Sequence, residues 1–527
     1  VRKFIRWIGT EKGKGAGFSL LSAGNLLIAL ITYLRFAQIA GIFGTTWQTD
    51  AVAIAMVIPL LLQQLISTAF GSAFMPIYSR VMYQKGREAA NRLVSRIINW
   101  MVLSGAVLIG LVLASGTLTV RLVGLGAAPE IIDLAAEILR IFLPLVFLNA
   151  IEGILQNFLI YGKRYGLVSF ARVLQILVSY LVLLWGHGRF GIMIIPISGL
   201  VGAMASFATC SVMSFILDLR LHMVADPRDS DFRELVKLAV PITIGVVTGF
   251  LGPVADKALA SFLRTSSVTA IDYASRIKNL VRIVLVQPAI VLSTVSFSKI
   301  AARGEPARLK GEIADFIRYI AYYTVPISGA LAVLSTPLIS VLFQRGNFGP
   351  EESEMVGYAL AFYSPWFAQF GIGLVVRRVF FAMKESVIPA VLGIWAMLAN
   401  ILLNVILLGP LGIGGLALAT TLTSAAKTLL LMYFLRKRLG GMGGSVFVPE
   451  YGRILLATGV MIGYMVLLGG VMPISLEAPL SDRIMKLAVM VVPGGIIYIA
   501  VSAMLGSTTF VDYRRIISDR IFRRRNP

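Results

Sequence analysis

Apolar residues run along this chain in long blocks, each closed by a cluster of charges or a Gly/Pro-rich break. A block of about eighteen residues or more crosses a bilayer core of roughly 30 Å as a helix rising about 1.5 Å per residue. The pattern predicts about fourteen spans, near residues 18–43, 51–79, 97–120, 132–160, 168–186, 190–217, 236–262, 268–298, 315–342, 355–380, 387–408, 412–435, 454–473 and 486–506. The expected fold class is all-α, a polytopic integral membrane protein whose short connections reach water.

Positive charges test that reading independently, because Lys and Arg collect in cytoplasmic loops. They fall in every second connection: Arg80, Lys85, Arg87, Arg92 and Arg96, then Lys163 and Arg164, then Arg228, Arg233 and Lys237. The series continues with Lys299, Arg303, Arg308 and Lys310, then Arg377, Arg378 and Lys384, then Arg436, Lys437 and Arg438. The intervening TTWQTD and GPLG carry none. Both ends are basic and predicted cytoplasmic. Residues 1–17 read as a retained N-terminus, with Phe4, Ile5, Trp7 and Ile8 forming an amphipathic turn at the interface, because a short apolar core with a cleavage site is missing.

The chain also repeats itself. SAFMPIYSRVMYQKGREAANRLVSRIINWM, bridging spans two and three, resembles STVSFSKIAARGEPARLKGEIADFIRYIAYY, bridging spans eight and nine. GILQNFLIYGKRYGLVSF after span four resembles GLVVRRVFFAMKESVIPA after span ten. An offset of six helices preserves orientation, so two parallel repeats are expected, related by an axis along the membrane normal. The predicted division is a first lobe over 18–220, a second over 221–440, two further spans in 441–510 and a basic cytoplasmic tail over 511–527. Paired lobes of this kind commonly hold a substrate between them and rock to alternate access.

Composition agrees: 57% of the 527 residues are hydrophobic and 14% charged, against about 45–50% and 25% in soluble domains. Topology accounts for most of the net charge of +22, so no nucleic-acid partner is called for. Cys210 stands alone, which rules out an intrachain disulfide, and His187 and His222 are too far apart in sequence to suggest a zinc centre or a catalytic triad. No GxxxxGK[ST] nucleotide loop occurs.

Chemistry is concentrated in a few polar residues inside the spans. Arg35 sits in ITYLRFAQIAGIFG, the only charge between Phe18 and Phe43, on one face with Ser22, Asn25 and Thr32. An arginine at mid-span costs about 2.5–3.5 kcal/mol on insertion scales, so it faces protein, water or a ligand unless it snorkels to the interface. Span eight reads IDYASRIKNLVRIVL, placing Asp272, Arg276 and Asn279 on one face with Arg282 close by. Asp272 and Arg276 at i, i+4 also suit a simple ion pair worth about 0.5 kcal/mol. By helical rise, Arg35 and Arg276 both lie roughly 6–10 Å outward of the midplane, a depth at which two guanidiniums could grip a pyrophosphate or carboxylate bidentately. A cation antiporter would instead need acids to dominate its cavity, where Glu152 stands against Arg35, Arg276, Arg282 and Lys427.

RFAQIAGIFGTTWQTDA, IPLLLQQ followed by AFMPI, DKALASFLRTSSVTAIDYASRI and LFQRGNFGPEE resemble the MurJ/MviN family of lipid II flippases, within the MATE-like exporter superfamily. The resemblance implies transport, with no covalent chemistry, of undecaprenyl-pyrophosphate-linked peptidoglycan precursor across the bacterial cytoplasmic membrane. It also implies membrane lipids as surroundings and a monomer as the working form. Arg35 and Arg276 match arginines thought to hold the pyrophosphate, and the expected substrate-binding set is Arg35, Arg276, Asn279, Arg282, Asn25 and Asp50. Other charged positions of the family are replaced, by Ala29, Phe36, Gln63, Ser67, Thr68 and Asn279. Some members bind Na+, and the matching positions are Asp256, Asn400, Asn404, Leu416 and Thr420, whose oxygen chemistry suits a hard cation. For Asp256 the alternative is pairing with Lys257 or Arg264; for the asparagines it is hydrogen bonding between helices. A flippase for another polyprenyl-linked glycan, such as a capsule or O-antigen unit, remains the alternative function, followed by a multidrug antiporter.

Overall fold

The apolar blocks fold as helices because a span in lipid must satisfy its own backbone hydrogen bonds. The computed structural model describes residues 14–514 except 116, 223–225, 227–228, 283–292, 294–295, 298–299, 301–302, 304, 384 and 442–443. The amphipathic turn at Phe4–Ile8 and the tail from residue 515 lie outside the described residues, as does most of the inner half of span eight. Among the described residues the regular structure is helical, with one isolated bridge between Arg345 and Phe348. Nine helical stretches among the described residues are long and apolar enough to cross a membrane. Two of these, Tyr165–Ile216 and Val387–Leu439, run to 52 and 53 residues and hold two crossings each.

The chain divides into two compact units, Val1–Val268 and Thr269–Pro527. The first contains α1 (Lys14–Phe43), α2 (Trp47–Ala55), α3 (Val57–Ala114), α4 (Leu118–Arg121), α5 (Pro129–Tyr161), α6 (Tyr165–Phe190), α7 (Ile194–Ile216) and α8 (Ser230–Ala260). The second contains nearly all of α9 (Ser267–Val281), then α10 (Pro306–Phe343), α11 (Pro350–Ala382), α12 (Val387–Leu439), α13 (Gly444–Val471) and α14 (Leu480–Met504).

Glycines divide the longest helices into separate crossings. Gly86 in α3 has φ 81° and Gly412 in α12 has φ 53°, left-handed values that a residue with a Cβ adopts only under strain. The repeat is visible in the helices themselves. Both α5 and α11 are 33 residues long, open on a proline and carry a second proline fifteen residues on, Pro144 and Pro365.

Each unit has its own core. In the first, Phe74 stacks on Tyr78 at 5.0 Å, Tyr161 meets Tyr78 edge-on at 4.9 Å, and Ile97, Leu155, Cys210 and Leu235 close around them. The α8 helix, which the repeat assigns to the second lobe, packs on α3 in the first unit and is clasped by ion pairs. Arg80 grips Glu234 with both terminal nitrogens at 2.7 and 2.8 Å, Lys85 reaches Asp231 at 2.6 Å and Arg96 reaches Asp229 at 2.8 Å. In the second unit, Ile313, Ile320, Val375, Phe380 and Leu435 pack together. There α14 is anchored on α10 by Tyr498, which donates to the Tyr322 carbonyl at 2.6 Å, and by Arg483, which donates to Gln344 Oε1 at 2.7 Å. Leu26, Leu30, Leu398, Leu402 and Leu467 point outward, as lipid-facing side chains do.

Candidate substrate and ion sites

Arg35 does not snorkel away from the protein. It is half-buried, and Nη2 donates to Ser198 Oγ at 3.1 Å and to the Ile195 carbonyl at 3.3 Å, both at the start of α7. Ser198 in turn donates to the same carbonyl at 3.0 Å. The guanidinium is thus positioned about 12 Å of helix below the outer end of α1. Asn25 lies exposed farther down the same helix.

Asp50 has a different place from the one its sequence position suggests. It is 3% exposed, and Oδ2 accepts the Ser266 N–H at 2.6 Å while Ser266 Oγ donates to the Thr45 carbonyl at 2.6 Å. Ser266 has φ 78°, so the carboxylate helps hold a strained turn at the end of the first unit. Thr46 and Thr49 cap the same stretch of chain reciprocally, at 2.8 and 3.4 Å.

In the second unit the i, i+4 pair of α9 is formed: Arg276 Nε donates to Asp272 Oδ2 at 2.6 Å. The arginine is 26% exposed, so pairing with Asp272 leaves part of it accessible. Asn279 is exposed and Arg282 half-buried farther along the chain. Sequence reasoning missed Lys278, whose ammonium lies 3.9 Å from the Tyr363 ring centroid and 5.3 Å from that of Trp366. The aromatic run FYSPWF in α11 was the available signal, since an intramembrane cation seeks such faces.

Three of the five candidate ion ligands, Asn400, Asn404 and Thr420, are joined by hydrogen bonds. Asn400 Nδ2 donates to Thr420 Oγ1 at 3.3 Å, Asn404 Nδ2 donates to Asn400 Oδ1 at 3.4 Å, and Leu416 is fully buried one turn before Thr420. Asp256 is buried in α8 of the first unit. A polar knot nearby in sequence was also missed: Gln369 Oε1 accepts from Ser424 and Thr428 at 3.3 and 3.2 Å.

Glu152, the acid a cation antiporter would use, is 2% exposed and enclosed by donors. Its Oε1 accepts from Ser206 Oγ at 2.5 Å and Gln156 Nε2 at 2.6 Å, with Cys210 Sγ at 3.9 Å. Arg172 holds Gln156 from the other side at 2.7 and 2.9 Å. This is helix-to-helix bonding within a bundle.

Repeated helical units with cations set inside their spans define a polytopic membrane transporter. The family model for the lipid II flippase MurJ matches residues 39–477. The chain belongs to that family, a family of transporters of the cytoplasmic membrane rather than of enzymes. A probable lipid II flippase MurJ of Rhizobium meliloti is 25% identical, with 95% of each chain covered. The lipid II flippase MurJ of Burkholderia cenocepacia is 26% identical over 80% of this chain and 83% of its own. Among solved structures, a lipid II flippase MurJ in an inward closed conformation matches with a TM-score of 0.78 at 22% identity, covering 94% of this chain and 99% of that one. An inward-facing multidrug resistance transporter of the MATE family matches at 0.68 and 13% identity, covering 78% and 94%. At those identities the structural likenesses speak for the fold.

Proposed function

We propose that this chain moves lipid II from the inner to the outer leaflet of the bacterial cytoplasmic membrane. The observation that carries this is membership of the lipid II flippase MurJ family through a match spanning most of both units. Arg35 in the first unit and Arg276 in the second are each, taken by itself, a candidate for the cargo's phosphate oxygens, because each offers a planar fork that fits them. Neither is neutral when empty: Arg35 leans on Ser198, and Arg276 on Asp272. Exchange of these contacts for phosphate oxygens is how the cargo is held and released. An anionic headgroup leaving a negative interior gains about 2.3 kcal/mol per charge per 100 mV, so nucleotide hydrolysis is not required.

Asn400, Asn404 and Thr420 of the second unit, linked by amide-to-oxygen hydrogen bonds, carry amide and hydroxyl oxygens of the kind that would suit a sodium ion. An ion held by these oxygens would supply positive charge between the helix segments that carry them. Sodium-dependent melting of the purified protein tests this: Asn400→Ala should abolish the dependence, and unchanged melting with and without sodium in the native chain refutes it. Complementation of a strain depleted of its lipid II flippase tests the function itself. Failure despite membrane insertion, with rescue of a capsule or O-antigen flippase mutant, would overturn it.

A further inference from the structure

Arg172 on α6 lies within a predicted span, and the substrate reading leaves it without a role. It shares a helix face with Ser169, Gln175 and Ser179, opposite the exposed Leu177, Leu181 and Leu184. That polar face looks into the bundle of the first unit. A Cβ on Gly24 of α1 would lie 3.0 Å from the Ser169 Cβ, Gln175 donates to Asn149 of α5 at 3.1 Å, and a Cβ on Gly202 of α7 would lie 3.0 Å from the Ser179 Cβ. Arg172 itself is exposed, so the bundle opens beside it.

One edge of the guanidinium is fixed. Nε and Nη2 both donate to Gln156 Oε1, at 2.9 and 2.7 Å. The amide is held against turning over, because its Nε2 donates to Glu152 Oε1 at 2.6 Å, and a flip would set oxygen against carboxylate and NH2 against guanidinium. Glu152 is held in turn from α7, where Ser206 Oγ donates to the same oxygen at 2.5 Å. A chain of bonds thus runs from α7 through α5 to α6 and aims the arginine. The other edge is open: Nη1 bonds no described residue, and Nη2 keeps a second N–H beyond the one given to Gln156.

A brace between helices accounts for the first edge and not for the second. A cation inside a span is costly unless protein, water or a ligand meets it. The open edge presents two parallel N–H groups, the geometry that takes two oxygens of a phosphate. Arg172 lies about 10 Å of helix from the inner end of α6, and Gln156 about 8 Å from that of α5. The connection between those ends carries Lys163 and Arg164, so an anion is drawn in from the cytoplasmic side. We propose that Arg172 is a further anion site of this protein, reached from the cytoplasmic side and taking two oxygens of a phosphate or diphosphate group on its open edge. Two sources offer that chemistry: the diphosphate of a polyprenyl lipid and free pyrophosphate of the cytoplasm. The site lies within the first unit and stands whether or not Arg35 and Arg276 hold the cargo.

The test is thermal unfolding of the full chain in maltoside micelles, which bring no phosphate of their own, at constant ionic strength. Inorganic pyrophosphate is added in one arm and undecaprenyl diphosphate in the other. The parent carries both Arg35→Ala and Arg276→Ala, which separates this site from the substrate reading. At least one ligand should raise the parent's Tm, and the arm that does so identifies the source. Adding Arg172→Gln should weaken binding about tenfold or more, since bonds from a charged donor are lost. Arg172→Lys keeps the charge and a bond to Gln156 but not the second edge, and should recover only part of the affinity. It also carries the test by itself if Arg172→Gln does not fold. The proposal is overturned if neither ligand moves the parent's Tm, or if Arg172→Gln responds as the parent does, the outcome for a purely structural brace. Full affinity in Arg172→Lys would overturn the two-oxygen grip.

Discussion

Replacing Arg35 with alanine sets two effects of similar size against each other. The side chain makes two hydrogen bonds, to Ser198 Oγ at 3.1 Å and the Ile195 carbonyl at 3.3 Å. Bonds from a charged donor contribute about 1.5–3 kcal/mol each, and these lengths lie at or beyond the long end of the usual range, so about 2–3 kcal/mol together is a fair estimate. Against that, taking an arginine out of a span relieves about 2.5–3.5 kcal/mol at its centre and less toward the ends. The net change should stay within about 1 kcal/mol, a shift of about 2–4 °C in a domain of this size class. Transport should nevertheless fall away, because the fork that grips the pyrophosphate is gone. The assay is paired: Tm of the purified variant, and rescue of growth in a flippase-depleted strain. Arg35→Lys should rescue only in part, since an ammonium keeps the charge but loses the bidentate grip. Full rescue by Arg35→Ala would refute the ligand role, and a fall in Tm well beyond that range would show that Arg35 is structural.

Other outcomes follow from single contacts. Glu152→Leu should destabilise the first unit by about 1–3 kcal/mol for each donor stranded, chiefly Ser206 and Gln156, whereas Glu152→Gln keeps an acceptor and should cost less; equal melting of the two would contradict the network. Gly202→Ala puts a Cβ 2.4 Å from the Gln175 carbonyl oxygen, forcing α6 and α7 apart at a cost of about 1–3 kcal/mol, while Gly393→Ala meets nothing within 4 Å and should melt as the native chain does. The Arg80 guanidinium holds the Glu234 carboxyl below its usual range. A depressed pKa means that the pair's contribution is complete above about pH 4.3, the free value, and is lost as pH falls through the folded value. Arg80→Gln should therefore flatten the acid limb of a Tm-against-pH curve, by a small amount because the pair is exposed; superimposable curves would count against it.

What the sequence by itself determined was set by lipid. Each span had to be apolar and helical on its own account, and each lysine or arginine had to choose a side of the membrane, so the spans, the orientation and the repeat could be read locally. The same cost made Arg35 conspicuous as a lone cation in an apolar block, and Arg276 as part of a charged face within a span, without any knowledge of their neighbours. Partners were another matter. That Arg35 meets Ser198, that Asp50 holds the Ser266 turn and that Lys278 lies over Tyr363 depend on which helix faces touch and at what rotation. Close approaches at small residues, such as Gly202 on Gln175 and Gly373 on Thr428, decide that rotation. An apolar face reads much the same against several possible neighbours, so only the tertiary structure could select among them, and with them the electrostatic setting of every polar group inside the membrane.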